Sequence, residues 1–155
     1  MKLIKIIFIL QFILLTSCGY KAINNKYDYK FRIIDYELVG NSIINKKLEK
    51  NIIRFSENDN ATRFFKIKIF SKFNKNTTSK DSSGNDSSYE IIITVDLNIT
   101  ENNVLLDKTK IQKKVNYNTL VSKFELKQYE NLLINDLSEQ INLEINNYLA
   151  IIEWY

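Results

Sequence analysis

The feature that most constrains the fold is an unbroken alternation of side chains near the middle of the chain. Segment 89–99 reads YEIIITVDLNI, and its odd-numbered positions are all apolar while the even ones are mostly polar. A period of two is typical of a β-strand with one buried face. Such a strand needs neighbouring strands and a second layer of structure to cover its apolar side.

Three further segments have the spacing of strands. Segment 27–40 is predicted to be the first strand, and a change of phase at Ile33 and Ile34 indicates a bulge. Segment 63–73 alternates apolar residues with lysines, and segment 104–118 follows a short turn at 101–103 that predicts a hairpin. Residues 74–88 contain no apolar side chain, so we expect a solvated loop or a mobile excursion there.

Two segments have helical spacing. Gly40 ends the first strand, and Asn41 or Ser42 is placed to cap a helix whose apolar residues are Ile44, Leu48, Ile52 and Phe55. A second helix begins at Ser122 and Glu125, which form a capping box. Its apolar stripe predicts a helix to about Leu149, and the stripe consists of Leu126, Tyr129, Leu133, Leu137, Ile141, Ile145 and Tyr148.

The order strand, helix, three strands, helix predicts an α+β fold. Each helix and the strand at 89–99 offers a single apolar face, and these faces are buried together when both helices cover one side of the sheet. We therefore expect a two-layer sandwich with a mostly antiparallel four-stranded sheet and two helices on one face. The other sheet face is rich in lysine and must meet water, lipid headgroups or a polar partner.

The amino end has the layout of a secretory signal. Lys2 and Lys5 precede an apolar run of about ten residues, and small polar residues follow before Cys18. The run is shorter than the roughly twenty residues that span a bilayer as a helix, although an uncleaved anchor is the alternative. We divide the chain into a signal peptide at 1–17, a lipidated tether at 18–26 and a folded domain at 27–155.

Composition argues against catalysis and against a resident cofactor or metal. The chain has no histidine, and none of its three glycines belongs to a phosphate-binding loop. Its single cysteine excludes a disulfide framework. The net charge of +4 falls to +2 when Lys2 and Lys5 leave with the signal, which gives little support for a nucleic-acid partner. We therefore expect that the protein is not an enzyme and that it has neither a cofactor nor a metal site.

Residues 15–19, LTSCG, resemble the bacterial lipobox. The resemblance implies cleavage before Cys18, which then carries a diacylglycerol thioether and an N-acyl group. Three acyl chains give near-permanent attachment, because each buried methylene contributes about 0.8 kcal/mol. Gly19 rather than an aspartate after the cysteine implies sorting to the outer membrane, with the domain on its periplasmic side.

Across the mature chain, the pattern is similar to the lipopolysaccharide-assembly lipoprotein family LptE. The resemblance is carried by the order of elements, the short tether and matching positions: Cys18, Gly19, Tyr20, Tyr117, Asn118, Ser122, Phe124 and Glu130. Lys21 and Ala22 stand where many relatives have a proline, and Glu125 and Leu132 replace small residues. The resemblance implies a plug and assembly partner in the lumen of the β-barrel LptD, which helps to deliver lipopolysaccharide without turnover.

The same resemblance places lipopolysaccharide contact at the sheet end that carries Lys75 and Lys80, and Lys72 is the nearest lysine of the preceding strand. Solvated surface lysines are the plainer interpretation of all three. Trp154 and Tyr155 are candidates for an interfacial contact. Two other functions remain open: an adaptor or pilot lipoprotein of another envelope machine, and an envelope hydrolase that uses two carboxylates.

Overall fold

The computed structural model of the protein describes residues 29–152. The signal peptide, Cys18, the tether, Trp154 and Tyr155 lie outside the described residues. In chain order the elements are β1 (Phe31–Gly40), α1 (Ser42–Arg54), β2 (Arg63–Lys80), β3 (Asp86–Glu101), β4 (Val104–Asn118) and α2 (Lys123–Ile152). The predicted order of strand, helix, three strands and helix is confirmed.

The four strands form one sheet in the order β1-β2-β3-β4. β1 and β2 are parallel and are connected through α1, whereas the β2–β3 and β3–β4 pairs are antiparallel. The register of β1 shifts between Ile33 and Asp35, which confirms the predicted bulge. The turn at Asn102 and Asn103 has positive φ angles of 52° and 65°, as two-residue hairpin turns require.

Both helices pack on the same face of the sheet. The inward side chains of β3 alternate along the strand and are fully buried against one continuous apolar cluster. Full burial of one isoleucine or leucine contributes roughly 1.5–3 kcal/mol, so the shared layer is the main source of stability. The buried apolar residues that the helices supply are Ile44, Leu48, Ile52, Leu137, Ile141, Ile145, Leu149 and Ile152.

The expectation of a loop at 74–88 is wrong. β2 continues to Lys80 and β3 begins at Asp86, so most of this segment is a hairpin that projects beyond the helices. Hydroxyl groups replace apolar packing there: Thr78 and Ser79 exchange hydrogen bonds of 2.7 Å with Ser88 across the two strands. This polar segment forms paired strands because the apolar residues earlier in β2 and later in β3 already align the two strands.

The connection from β1 to α1 turns sharply at Gly40. Its φ is +107°, and a Cβ at this position would lie 2.0 Å from the carbonyl oxygen of Ser71. Asn41 then caps α1, because its Oδ1 accepts the backbone N–H groups of Ile43 and Ile44 at 3.1 Å. Of the two capping residues considered from the sequence, the structure selects Asn41.

The second helix starts and ends on specific polar contacts. The backbone N–H of Glu125 donates to Oγ of Ser122 at 3.4 Å, which confirms Ser122 as the cap. At the other end, Nη1 of Arg63 donates to the carbonyl oxygen of Ile152 at 2.9 Å. The helix thus extends three residues beyond the predicted Leu149, where an arginine from β2 satisfies a terminal carbonyl.

Replacing Gly40 is expected to destabilise the protein strongly. Gly40→Ala should lower the free energy of unfolding by about 2 kcal/mol or more, because the new Cβ meets backbone and the φ angle is unfavourable for an L-residue. Gly84→Ala is the matched control: its φ of +85° is also positive, but a Cβ there meets no atom within 4 Å. Urea denaturation of both variants measures the difference, and equal losses would contradict the steric explanation.

Candidate functional site

A cluster of polar and aromatic side chains joins the hairpin to the first turns of α2. Glu130 lies at its centre: its Oε1 accepts a hydrogen bond from Nζ of Lys75 at 2.6 Å and another from the hydroxyl of Tyr117 at 2.7 Å. Tyr89 stacks on Tyr117 with a centroid distance of 5.5 Å, and the Lys75 ammonium lies 4.2 Å from the Tyr89 ring centre. We call these four residues the Glu130 cluster.

The Glu130 cluster fixes the base of the hairpin against the helix. Burial, and next the hydrogen bond to Glu130, raise the pKa of the Tyr117 phenol well above its usual value. Tyr117 therefore remains a neutral donor, and Lys75 supplies the cation that balances the carboxylate. The sequence singled out Tyr117 and Glu130 only through the family resemblance, and periodicity did not indicate that they would meet Lys75.

The three lysines predicted to contact lipopolysaccharide do not form one group. Lys75 follows the buried phase of β2 on the helix side and is held by Glu130, whereas Lys72 is exposed in the opposite phase. Lys80 is exposed at the end of β2, where it lies opposite Asp86 in the register of β2 and β3. Lys75 and Lys80 lie on a strand rather than on the expected loop, Lys72 lies on its predicted strand, and strand alternation separates Lys72 from Lys75.

The tip of the hairpin is a tight turn held by Asp81. Its Oδ1 accepts the backbone N–H groups of Ser83 at 2.8 Å and Asn85 at 2.9 Å, and Gly84 supplies the positive φ. These hydrogen bonds, with those of Asn85 first, lower the pKa of the Asp81 carboxyl. Asp81 is therefore part of the turn, and segment 74–88 as a whole carries two lysines and two aspartates.

The polar sheet face is lysine-rich, as predicted. Lys66, Lys108 and Lys110 are exposed on it, while Lys68 makes an ion pair of 2.7 Å with Glu37. Cations outnumber acids along β2 and β4. Apolar side chains also lie on this face, and the exposed ones are Val39, Phe64 and Leu105.

A groove of about 740 Å³ lies between the two helices. One wall carries basic side chains of α1, among them Lys46, Lys50 and Arg54. Its floor is made of amides, where Nδ2 of Asn51 donates to Oδ1 of Asn146 at 2.6 Å. The sequence analysis did not indicate this groove, because it depends on how the two helices lie against each other and not on the spacing within either one.

Two further observations concern residues 29–152 alone. No three of their His, Cys, Asp and Glu side chains are grouped so that they could hold a metal ion. Neither described helix combines the length and the apolar character needed to cross a bilayer.

The fold is shared with bacterial lipoproteins of known structure. Rare lipoprotein B from Shewanella oneidensis superposes with a TM-score of 0.58 at 16% identity, covering 77% of this chain and 96% of that protein. Lipoprotein B from Nitrosomonas europaea gives a TM-score of 0.59 at 14% identity, over 79% of this chain and 86% of that one. A minor lipoprotein from Acinetobacter baumannii gives a TM-score of 0.53 at 15% identity, covering 77% of this chain and 92% of that protein.

The chain has the fold of these lipoproteins. At such identities the likeness concerns architecture, and it extends over nearly the whole length of each neighbour. No protein-family model matches the sequence, and no curated protein sequence matches it either.

The Glu130 cluster and a second tyrosine predict how stability depends on pH. Burial, together with a hydrogen bond to Asp107, raises the pKa of Tyr148 to about 12, and the pKa of Tyr117 is raised further. Unfolded tyrosines ionise near pH 10, so the unfolded state binds fewer protons above that pH and is favoured. The stability contributed by the two phenols is thus complete below pH 10 and is lost as the pH rises through the folded-state values.

Urea denaturation between pH 9 and 12 measures this dependence. The double variant Tyr117→Phe/Tyr148→Phe should lose stability less steeply with rising pH than the wild type, because two of the linked protons are gone. Glu130→Gln should lower the pKa of Tyr117, read by NMR of labelled tyrosine, yet leave it above 10 because burial persists. An unchanged slope in the double variant would refute the assignment.

Proposed function

We propose that the protein is an outer-membrane lipoprotein that occupies the lumen of an LptD-like β-barrel and assists lipopolysaccharide assembly. The observation that carries the proposal is the fold shared with several bacterial lipoproteins, in a chain whose own residues 15–19 resemble a lipobox. Acylation of Cys18 would hold the domain at the membrane. The barrel partner and lipopolysaccharide come from the LptE resemblance of the sequence.

The division of the sheet into two faces supports a partner of this kind. One face is covered by the helices, and the other presents Lys66, Lys108 and Lys110 beside exposed apolar side chains such as Phe64. The lumen of a large outer-membrane barrel is polar and in several proteins is plugged by a folded element. A polar, charged sheet face suits such a wall better than it suits an apolar interface.

The carboxylates support a role without catalysis. Asp81, Glu101 and Asp107 each accept hydrogen bonds from structural partners, which lower their carboxyl pKa values. These carboxylates are committed to the fold, whereas a hydrolase needs two carboxylates that face a substrate. We therefore propose that the protein works by binding, and the hydrolase is the weaker candidate.

We further propose that Lys72, Lys75 and Lys80 contact lipopolysaccharide at the hairpin. Phosphate groups accept short, charge-assisted hydrogen bonds from ammonium groups. Lys72 and Lys80 are exposed, so their ammonium groups are accessible to a ligand. Lys75 already makes an ion pair with Glu130, and its contribution to binding includes holding the hairpin in place.

Co-expression with the candidate barrel tests the partner. The wild-type chain, tagged at its carboxyl end, should co-purify with the barrel, and Lys108→Glu/Lys110→Glu should reduce recovery roughly tenfold or more by placing like charges in the interface. Lys46→Glu/Lys50→Glu is the matched control, because both lysines are equally exposed but lie on α1. Recovery of a secretin or an inner-membrane transporter without a barrel would instead support the adaptor or pilot function.

Lipopolysaccharide binding is tested separately from the barrel. Lys72→Gln/Lys80→Gln should weaken binding of purified lipopolysaccharide to the full chain by roughly tenfold, the loss expected for two charge-assisted contacts at an exposed site. Lys50→Gln removes one exposed lysine from α1 and should leave binding unchanged. Equal affinity of the wild type and the double variant, measured by fluorescence titration, would remove these lysines from the site.

A further inference from the structure

The β3–β4 turn is followed by three consecutive aliphatic residues that the core does not use. Val104, Leu105 and Leu106 are 68%, 55% and 39% exposed. They open β4, which is an edge strand of the sheet. An exposed apolar edge strand can pair with another chain and cause aggregation, so edge strands that face water usually carry charged residues. We call these three residues the aliphatic turn.

The aliphatic turn lies at the end of the sheet where the chain enters the domain. Partners across the strands form one row that runs from Ile33 through Phe65 and Glu101 to Val104. This row crosses three strand spacings of about 4.8 Å, so roughly 15 Å separate β1 from the aliphatic turn. The start of β1, two residues before Ile33, and the aliphatic turn therefore lie at the same end of the sheet, on its two opposite edge strands.

The carboxyl end of α2 reaches the same end of the sheet. Arg63 makes an ion pair of 2.7 Å with Glu101 and also donates to the carbonyl oxygen of Ile152. Ile151, in the last turn, is 56% exposed beside this junction. Two elements thus bring exposed aliphatic side chains to one end of the domain.

Basic residues flank the aliphatic turn on the polar sheet face. Lys66 lies in the row of Thr100 and Leu105 and donates to Oδ1 of Asn103 at 3.0 Å, and Lys108 is exposed three residues after Leu105. Aliphatic side chains beside lysines are typical of surfaces that lie in the headgroup region of a membrane. A purely apolar contact between proteins would leave these cations desolvated.

We propose that the aliphatic turn inserts into the membrane surface and orients the domain beside its lipid anchor. The inference rests on the proposed acylation of Cys18. Ten residues lie between Cys18 and Tyr29, and this stretch reaches about 40 Å at full extension. This length covers the roughly 15 Å to the aliphatic turn, so anchor and turn can enter the same leaflet together. The hairpin with Lys75 and Lys80 then points away from the bilayer.

Site-specific fluorescence on the full acylated chain tests the contact. The chain has a single cysteine, Cys18, and acylation consumes its sulfur, so Leu105→Cys and Leu120→Cys each introduce one reactive thiol. Leu120 is the matched control, because it is 41% exposed and lies just beyond β4 at the opposite end. Each variant is labelled with the dye NBD and reconstituted into phosphatidylethanolamine–phosphatidylglycerol vesicles.

The expected result is a blue-shifted emission at position 105 that spin-labelled lipids quench, with neither effect at position 120. Val104→Cys provides a second label on the same turn if the first variant folds poorly. Equal quenching at both ends, or none at 104 and 105 in protein that mass spectrometry shows to be acylated, would overturn this contact while leaving the proposed anchor intact. Shielding at 105 that requires the co-reconstituted barrel would assign the turn to that partner instead.

An unmodified Cys18 in the mass spectrum is a different failure. It would overturn the proposed lipid anchor itself, and the membrane contact of the turn with it. The two measurements therefore distinguish an error in the proposed function from an error in the orientation inferred here.

Discussion

The whole structure depends on one apolar sheet face that two helices must cover. Ile91, Ile93, Val95, Leu97 and Ile99 of the central strand β3 are all fully buried on this face. Because a strand shows alternate residues to opposite sides, the even-numbered residues of the same strand face outward, and most of them are polar. Burial on one side therefore determines the position of the helices and which residues form the outer surface.

The ends of the sheet differ in their chemistry as well. At the end near Tyr29, Arg63 links β2, β3 and the last residue of α2 through charge-assisted hydrogen bonds. At the far end, Glu130 links β2, β4 and the first turns of α2. At the first joint the cation lies between a carboxylate and a helix carbonyl, and at the second a carboxylate of the helix accepts from a cation and a phenol, so a charge-assisted contact holds each end of α2. Exposed apolar side chains occur beyond both joints, and they are Val104, Leu105 and Ile151 at the first end and Leu120, Val121 and Phe124 at the second.

Much of the architecture could be predicted because hydrophobic period is a local property of the chain. The strand at 89–99, the bulge near Ile33 and the second helix all followed from spacing that one face of each element imposes. The hairpin at 74–88 could not be predicted in this way, since its pairing is inherited from the apolar ladder of β2 and β3 and is held by hydroxyl contacts such as that of Ser79 with Ser88.

The candidate site was less predictable than the fold. Lys72, Lys75 and Lys80 were grouped by their nearness in sequence, but strand alternation places Lys72 and Lys75 on opposite faces. Contacts such as that of Lys75 with Glu130 join residues 55 positions apart, and no periodicity encodes them. The Asn51–Asn146 contact across the helices is of the same kind, since it depends on where two separately predicted elements meet.

The outer part of the hairpin has a mechanical consequence. Residues 78–85 are exposed and pair with the polar segment 86–88, so their ladder of backbone and hydroxyl hydrogen bonds is separate from the packed layer below Tyr89 and Tyr117. Opening those rungs would uncover no hydrophobic surface, and the free energy required is small compared with that of global unfolding. The tip of the hairpin can therefore change its conformation against a bound surface while the packed domain keeps its structure.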